Sequence, residues 1–133
     1  DEVTAIAVLA GSEIDDASEC VPARPVSVLH AHGDADELII YTGGSTTAPF
    51  PGAPEVMARW AGRDGCSSSP VAKGRLDLDT GLAGSETSVQ VFEGCDDGSD
   101  VQLDTIEGGH HIPALSHDRV GTEVLDWLLD HTR

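Results

Sequence analysis

Two short, nearly unbroken apolar runs most constrain what this chain can fold into. Val3-Thr-Ala-Ile-Ala-Val-Leu-Ala10 ends at Gly11-Ser12, and Val26-Ser-Val-Leu-His-Ala31 starts directly after Pro25. A strand with one solvated face alternates apolar and polar residues, whereas a strand covered on both faces has no need to. The runs therefore predict buried strands in a sheet layered on both sides. Neither approaches the roughly 20 apolar residues needed to span a bilayer. Pro54 suits the first turn of a helix through Glu55–Ala61, closed by Gly62 and Gly65. Thr87–Phe92 and Val101–Ile106 alternate and predict half-exposed strands. A last amphipathic helix has Ser116 or Asp118 as its cap and Val120, Val124, Trp127 and Leu128 on one face. The order strand, strand, helix, strand, strand, helix predicts an α/β sheet of mostly parallel strands flanked by helices. Between these elements Thr42–Ala53 and Cys66–Glu86 read as irregular stretches, and loops that long are usually functional or tied down.

A net charge of −17, from 24 acidic against 7 basic side chains, argues against nucleic acid or an anionic membrane as a partner. The acidic residues are dispersed, which suits solubility and carries no chemistry by itself. Three cysteines, with no CxxC or Cys/His cluster, do not suggest zinc. We pair Cys66 with Cys95 and leave Cys20 for a thiol outside this chain. Three reduced cysteines in a cytosolic protein remain the alternative.

Two segments carry candidate chemistry. His32-Gly33-Asp34-Ala35-Asp36 follows the second buried strand, and Glu107-Gly108-Gly109-His110-His111 follows the last strand. In an open sheet, functional groups gather at the carboxyl ends of strands. An Asp and a His on neighbouring loops can meet there although 75 positions separate Asp36 from His111. Other readings stand beside this one. Gly-Asp-x-Asp is good turn chemistry, and His110-His111 as a metal pair has no evident third ligand. Asp96-Asp97-Gly98-Ser99-Asp100 lacks the spacing of a calcium loop and reads as a solvated turn. His30 reads as a structural histidine, and Trp60 and Trp127 as core.

The pattern His-Gly-x-x-Asp after a strand, then Gly-Gly-x-His before the final helix, resembles the α/β-hydrolase fold. It is most similar to the secreted polyhydroxybutyrate depolymerase and feruloyl esterase group. The Cys-x-Pro-x-Arg-Pro approach at Cys20–Pro25, Tyr41, Arg59-Trp60 with Gly65-Cys66, and Gly94-Cys95 resemble that group too. The likeness runs from the strand at Val3 to the helix ending near His131. It implies Asp36 as the acid and His111 as the base of a Ser-His-Asp triad, His111 standing four positions after Glu107 as in the group's Glu-Gly-Gly-Gly-His. His110 occupies the third glycine of that turn and is the alternative base. Tyr41 either lines the acyl pocket as a substrate-binding residue or packs beneath the acid loop. Ile112-Pro113 replaces the Trp-Pro of the group, which leaves the substrate subclass open.

The resemblance implies an extracellular carboxylic ester hydrolase needing no cofactor and acting on a polyester or an ester-decorated polysaccharide. The nucleophile elbow Gly-x-Ser-x-Gly is missing: no serine in the sequence has both glycines. The 133 residues are thus expected to be a partial domain, starting just after the serine and the oxyanion loops, with the missing N-terminal half as partner. The Val3 strand should then show an apolar edge. The rival expectation is a non-catalytic, acidic, disulfide-tied binding or assembly module, favoured if Asp36 does not reach His111.

Overall fold

The computed structural model describes residues 3–111 and 117–131, and of residues 117, 118, 120 and 121 the backbone alone. Ile112-Pro113, Ser116 and the side chains of Asp118 and Val120 lie outside what is described. The elements are β1 (Ala5–Leu9), β2 (Ser27–Gly33), β3 (Gly43–Ser45), β4 (Pro49–Pro51), α1 (Ala53–Arg63), β5 (Val71–Leu76), β6 (Thr87–Phe92), β7 (Val101–Ile106) and α2 (His117–Asp130). Five strands form one sheet in the order β1-β2-β7-β6-β5, and β3 and β4 form a small hairpin of their own.

This corrects the expected fold class. The sheet is mixed, not a mostly parallel α/β-hydrolase sheet flanked by helices. β2 runs parallel to β1 and β7, but β6 is antiparallel to both β7 and β5, and among the described residues there are two α-helices. The physical reason lies in the connections. A parallel crossover needs a dozen or more residues, usually including a helix. Only residues 93–100 join β6 to β7, and they make a 3-10 turn at Asp96–Gly98, so the chain must double back.

β2 is buried along its whole length, as its apolar run requires. β1 is not. It is an edge strand paired with β2 alone among the described residues, and Leu9 is 50% exposed. β7 is more buried than its alternation predicts, because it lies at the centre of the sheet. Alternation along β2 and β7 sorts their side chains between two faces. Val28, Val101 and Leu103 meet Ala53, Val56, Met57 and Ala61 of α1, with Phe92 alongside and Trp60 packed against the cluster. The opposite face carries Leu29, Ala31, Gln102, Asp104 and Ile106, and borders a cavity of about 700 Å³ beneath α2.

The two long stretches are tied down, Thr42–Ala53 by the β3–β4 pairing and the Ala53 N–H to Tyr41 O bond, and Cys66–Glu86 near both of its ends. Cys66 and Cys95 form a disulfide, while Cys20 has no disulfide partner within this chain. Glu86 turns inward, and its Oε1 accepts from the Leu78 and Asp79 amides and the Thr87 hydroxyl. Its carboxyl is held below the usual range: burial alone would raise it, but these bonds outweigh that. On the other side, Glu13 accepts from Arg59 and Arg63, fixing the β1–β2 connection to α1.

Candidate active site

β2 and β7 are parallel neighbours with Gly33 opposite Ile106, so both candidate loops leave the sheet at one end, side by side. Glycine allows them to close. A β-carbon on Gly33 would fall 2.1 Å from the Gly109 carbonyl oxygen and 2.4 Å from its carbon. Gly108 adopts φ +78°, a left-handed conformation that favours glycine. The bare backbones then interlock: Asp34 N–H donates to Ile106 O (3.1 Å), Ala35 N–H to Gly109 O (3.0 Å), and Gly108 N–H to Asp34 Oδ1 (2.6 Å).

From these loops Asp36 and His111 reach each other, with His111 Nδ1 2.9 Å from Asp36 Oδ2. The Asp36 side chain is fully buried and the His111 side chain 27% exposed. Asp36 Oδ1 accepts from the Leu38 and Ile39 amides at 2.8 and 2.9 Å. Burial by itself would raise the Asp36 carboxyl. The His111 bond, the two amides and the charge of His111 outweigh it, holding the carboxyl below its ordinary value. A carboxylate bound to Nδ1–H sets the imidazole tautomer, putting the lone pair on Nε2. His110 turns away, its Nδ1 3.1 Å from Glu37 Oε2, and both side chains are well exposed.

Tyr41 shares a 2.7 Å hydrogen bond with Thr105 Oγ1 and stands edge-on to the His32 ring. It packs against the α1 cluster, on the opposite side of the sheet from the cavity that His111 borders. Sequence reasoning missed two contributors. Arg75 donates to both carboxylate oxygens of Glu107 and to the Ser85 and Glu86 carbonyls, pinning the Gly-Gly-His-His turn from β5. His32 places Nε2 3.1 Å from Asp36 Oδ2. Its position four residues before Asp36 was the available signal. Among the described residues, no group of three or more His, Cys, Asp or Glu side chains is disposed to hold a metal ion. No helix among them is long and apolar enough to cross a membrane.

No protein-family model matches the chain. The sequence is similar to feruloyl esterase B of Piromyces equi, at 31% identity over 105 residues. The match takes in 74% of this chain but 18% of that protein, so the chain spans about a fifth of the length of the curated relative it matches. The matched region is thereby related to part of an esterase sequence. The disulfide is compatible with an oxidising compartment.

Proposed function

We propose that this chain supplies the acid and the base of an extracellular carboxylic ester hydrolase, with Asp36 orienting His111. The observation that carries the reading is the 2.9 Å contact between His111 Nδ1 and the buried Asp36 Oδ2. The similarity to an esterase supports the reaction class. A non-catalytic module is the rival, and it has no need of a buried carboxylate that orders a partly exposed imidazole.

The nucleophile is a serine outside these 133 residues, because no serine here has the elbow glycines. His111 Nε2 takes the serine proton as Oγ bonds to the ester carbonyl carbon, and the carbonyl electrons move to oxygen. When the tetrahedral intermediate collapses, the carbon–alkoxide bond breaks and His111 returns the proton to the leaving alcohol. Water repeats the cycle on the acyl-enzyme and regenerates the serine. Asp36 stays ionised and stabilises the imidazolium between the two transfers. The substrate is a polyester or an ester-decorated polysaccharide, feruloyl esters included. The cavity beside His111, lined by Leu29, Ala31, Leu78, Val89, Ile106 and Trp127, is of the size that holds a small acyl or aryl group.

The test is p-nitrophenyl acetate turnover and fluorophosphonate labelling, run on this chain and on its complete source protein. Labelling and turnover by the complete protein, absent from the 133-residue chain, are expected. A complete protein that neither labels nor turns over excludes the serine esterase reading.

A further inference from the structure

Asp36 Oδ2 has a second imidazole against it. His32 Nε2 lies 3.1 Å from this oxygen and 2.7 Å from the Ile39 carbonyl oxygen. Both neighbours accept only, so His32 Nε2 carries a hydrogen whatever the charge on the ring. At its other nitrogen, His32 Nδ1 is 3.2 Å from His30 Nε2. Both histidines are 1% exposed and belong to the α1 side of β2.

The hydrogens along this row can be assigned. A neutral His32 protonated on Nε2 has a bare Nδ1 that must accept. His30 then donates through Nε2–H and is bare at Nδ1. That nitrogen is buried with no hydrogen-bond partner, a situation that an N–H tolerates less well than a lone pair. Burial is the largest cause pushing His30 down to about 4, so His30 is neutral in neutral solution.

We propose that His32 and His30 are positioning residues for Asp36: His32 shares its one Nε2–H between the Ile39 carbonyl at 2.7 Å and Asp36 Oδ2 at 3.1 Å, tying the acid to its own loop, and His30 holds His32 in its neutral form by donating to its Nδ1. Oδ1 then accepts the amides of Leu38 and Ile39, and Oδ2 accepts His111 Nδ1–H together with a share of His32 Nε2–H. The carboxylate can neither rotate nor offer a lone pair to a proton. A charged His32 would compete with His111 for the negative charge on Asp36, whereas a neutral one leaves that charge for the imidazolium that forms on His111. Tyr41, edge-on to His32, closes its ring face with a group that is neutral at ordinary pH, since burial raises its phenol further. The inference rests on the reading of His111 as the base, but its geometry is testable without ester turnover.

The experiment is long-range proton–nitrogen correlation on the nitrogen-labelled complete source protein at neutral pH. Hydrogens are expected on Nε2 of His30, Nε2 of His32 and Nδ1 of His111. A doubly protonated His32, or a neutral His32 with its hydrogen on Nδ1, overturns the assignment. His30→Leu, among the apolar neighbours Ile6, Val28, Val56 and Met57, should leave the fold intact while His32 Nδ1, with no donor against it, becomes free to take a second proton. Exchange of the His111 Nδ1 proton with water should quicken about tenfold, the equivalent of one ordinary hydrogen bond. His32→Gln, which keeps an N–H donor, should preserve that proton better than His32→Leu. If His111 is unchanged in both His30→Leu and His32→Leu, the two histidines only fill space and the proposal fails. If the tautomers stand and the complete protein shows no turnover, it is the esterase reading that fails.

Discussion

Gly33 and Gly109 pack backbone against backbone, so closely that a β-carbon on Gly33 would sit 2.1 Å from the Gly109 carbonyl oxygen. The contact seats the loop bearing Asp36 on the loop bearing His111. Gly33→Ala should therefore force the loops apart and cost about 1–3 kcal/mol, the usual range for overpacking. Urea unfolding gives the stability loss, and disappearance of the hydrogen-bonded His111 Nδ1 proton shows that the pair has separated. An alanine variant that keeps both stability and that proton contradicts the packing argument.

Asp104 and His30 should tilt stability in opposite directions over the same pH range. Burial raises Asp104 to about 6 from 3.8, with the Gln102 bond opposing and the Glu123 charge adding. Its folded form keeps a proton that the unfolded chain releases, so stability falls as pH rises from about 4 to about 6. His30 is lowered from 6.5 to about 4. Its unfolded form takes up a proton that the folded form refuses, so stability falls as pH drops through that range. Each slope is about 1.4 kcal/mol per pH unit, and together they nearly cancel. Asp104→Asn should expose the His30 slope and stabilise the neutral protein by up to about 3 kcal/mol. His30→Leu should expose the Asp104 slope. Urea midpoints at several pH values check both signs.

Removing the Cys66–Cys95 link should destabilise the chain by about 2–4 kcal/mol, since it closes a loop of 29 residues. Cys66→Ser should unfold at lower urea and lose its response to reductant. Cys20→Ser should keep that response, because Cys20 forms no disulfide within this chain. Equal reductant response in Cys66→Ser and the parent chain would place the stabilisation elsewhere.

The segments that hold the site were legible because their signals are local. The apolar runs and alternations located β1, β2, β6 and β7, and Pro54 located the start of α1. The strand directions were misread, although the short link between Phe92 and Val101 carried the information. β5 escaped because Val71–Leu76 has no period of two: the register shifts between Ala72 and Gly74, and Gly74 takes φ +128°. The β3–β4 hairpin has three-residue strands, with prolines at both ends of the second. At the site, the resemblance singled out Asp36 and His111, and the structure sets their side chains 2.9 Å apart. The roles of His32 and Arg75 were not legible, because each depends on which strands become neighbours. The hydrogen bond of Tyr41 to Thr105, 64 positions away, likewise depends on how the strands assemble.

The most direct measurement compares His111→Ala with His110→Ala in the complete source protein, by kcat for a p-nitrophenyl ester. The pairing of His111 with buried Asp36, and of His110 with exposed Glu37, predicts a loss of about 10³-fold or more for His111→Ala. His110→Ala should stay within a few-fold of the parent. Comparable losses in both variants, or an active His111→Ala, would contradict the assignment of Asp36 and His111 as the acid–base pair.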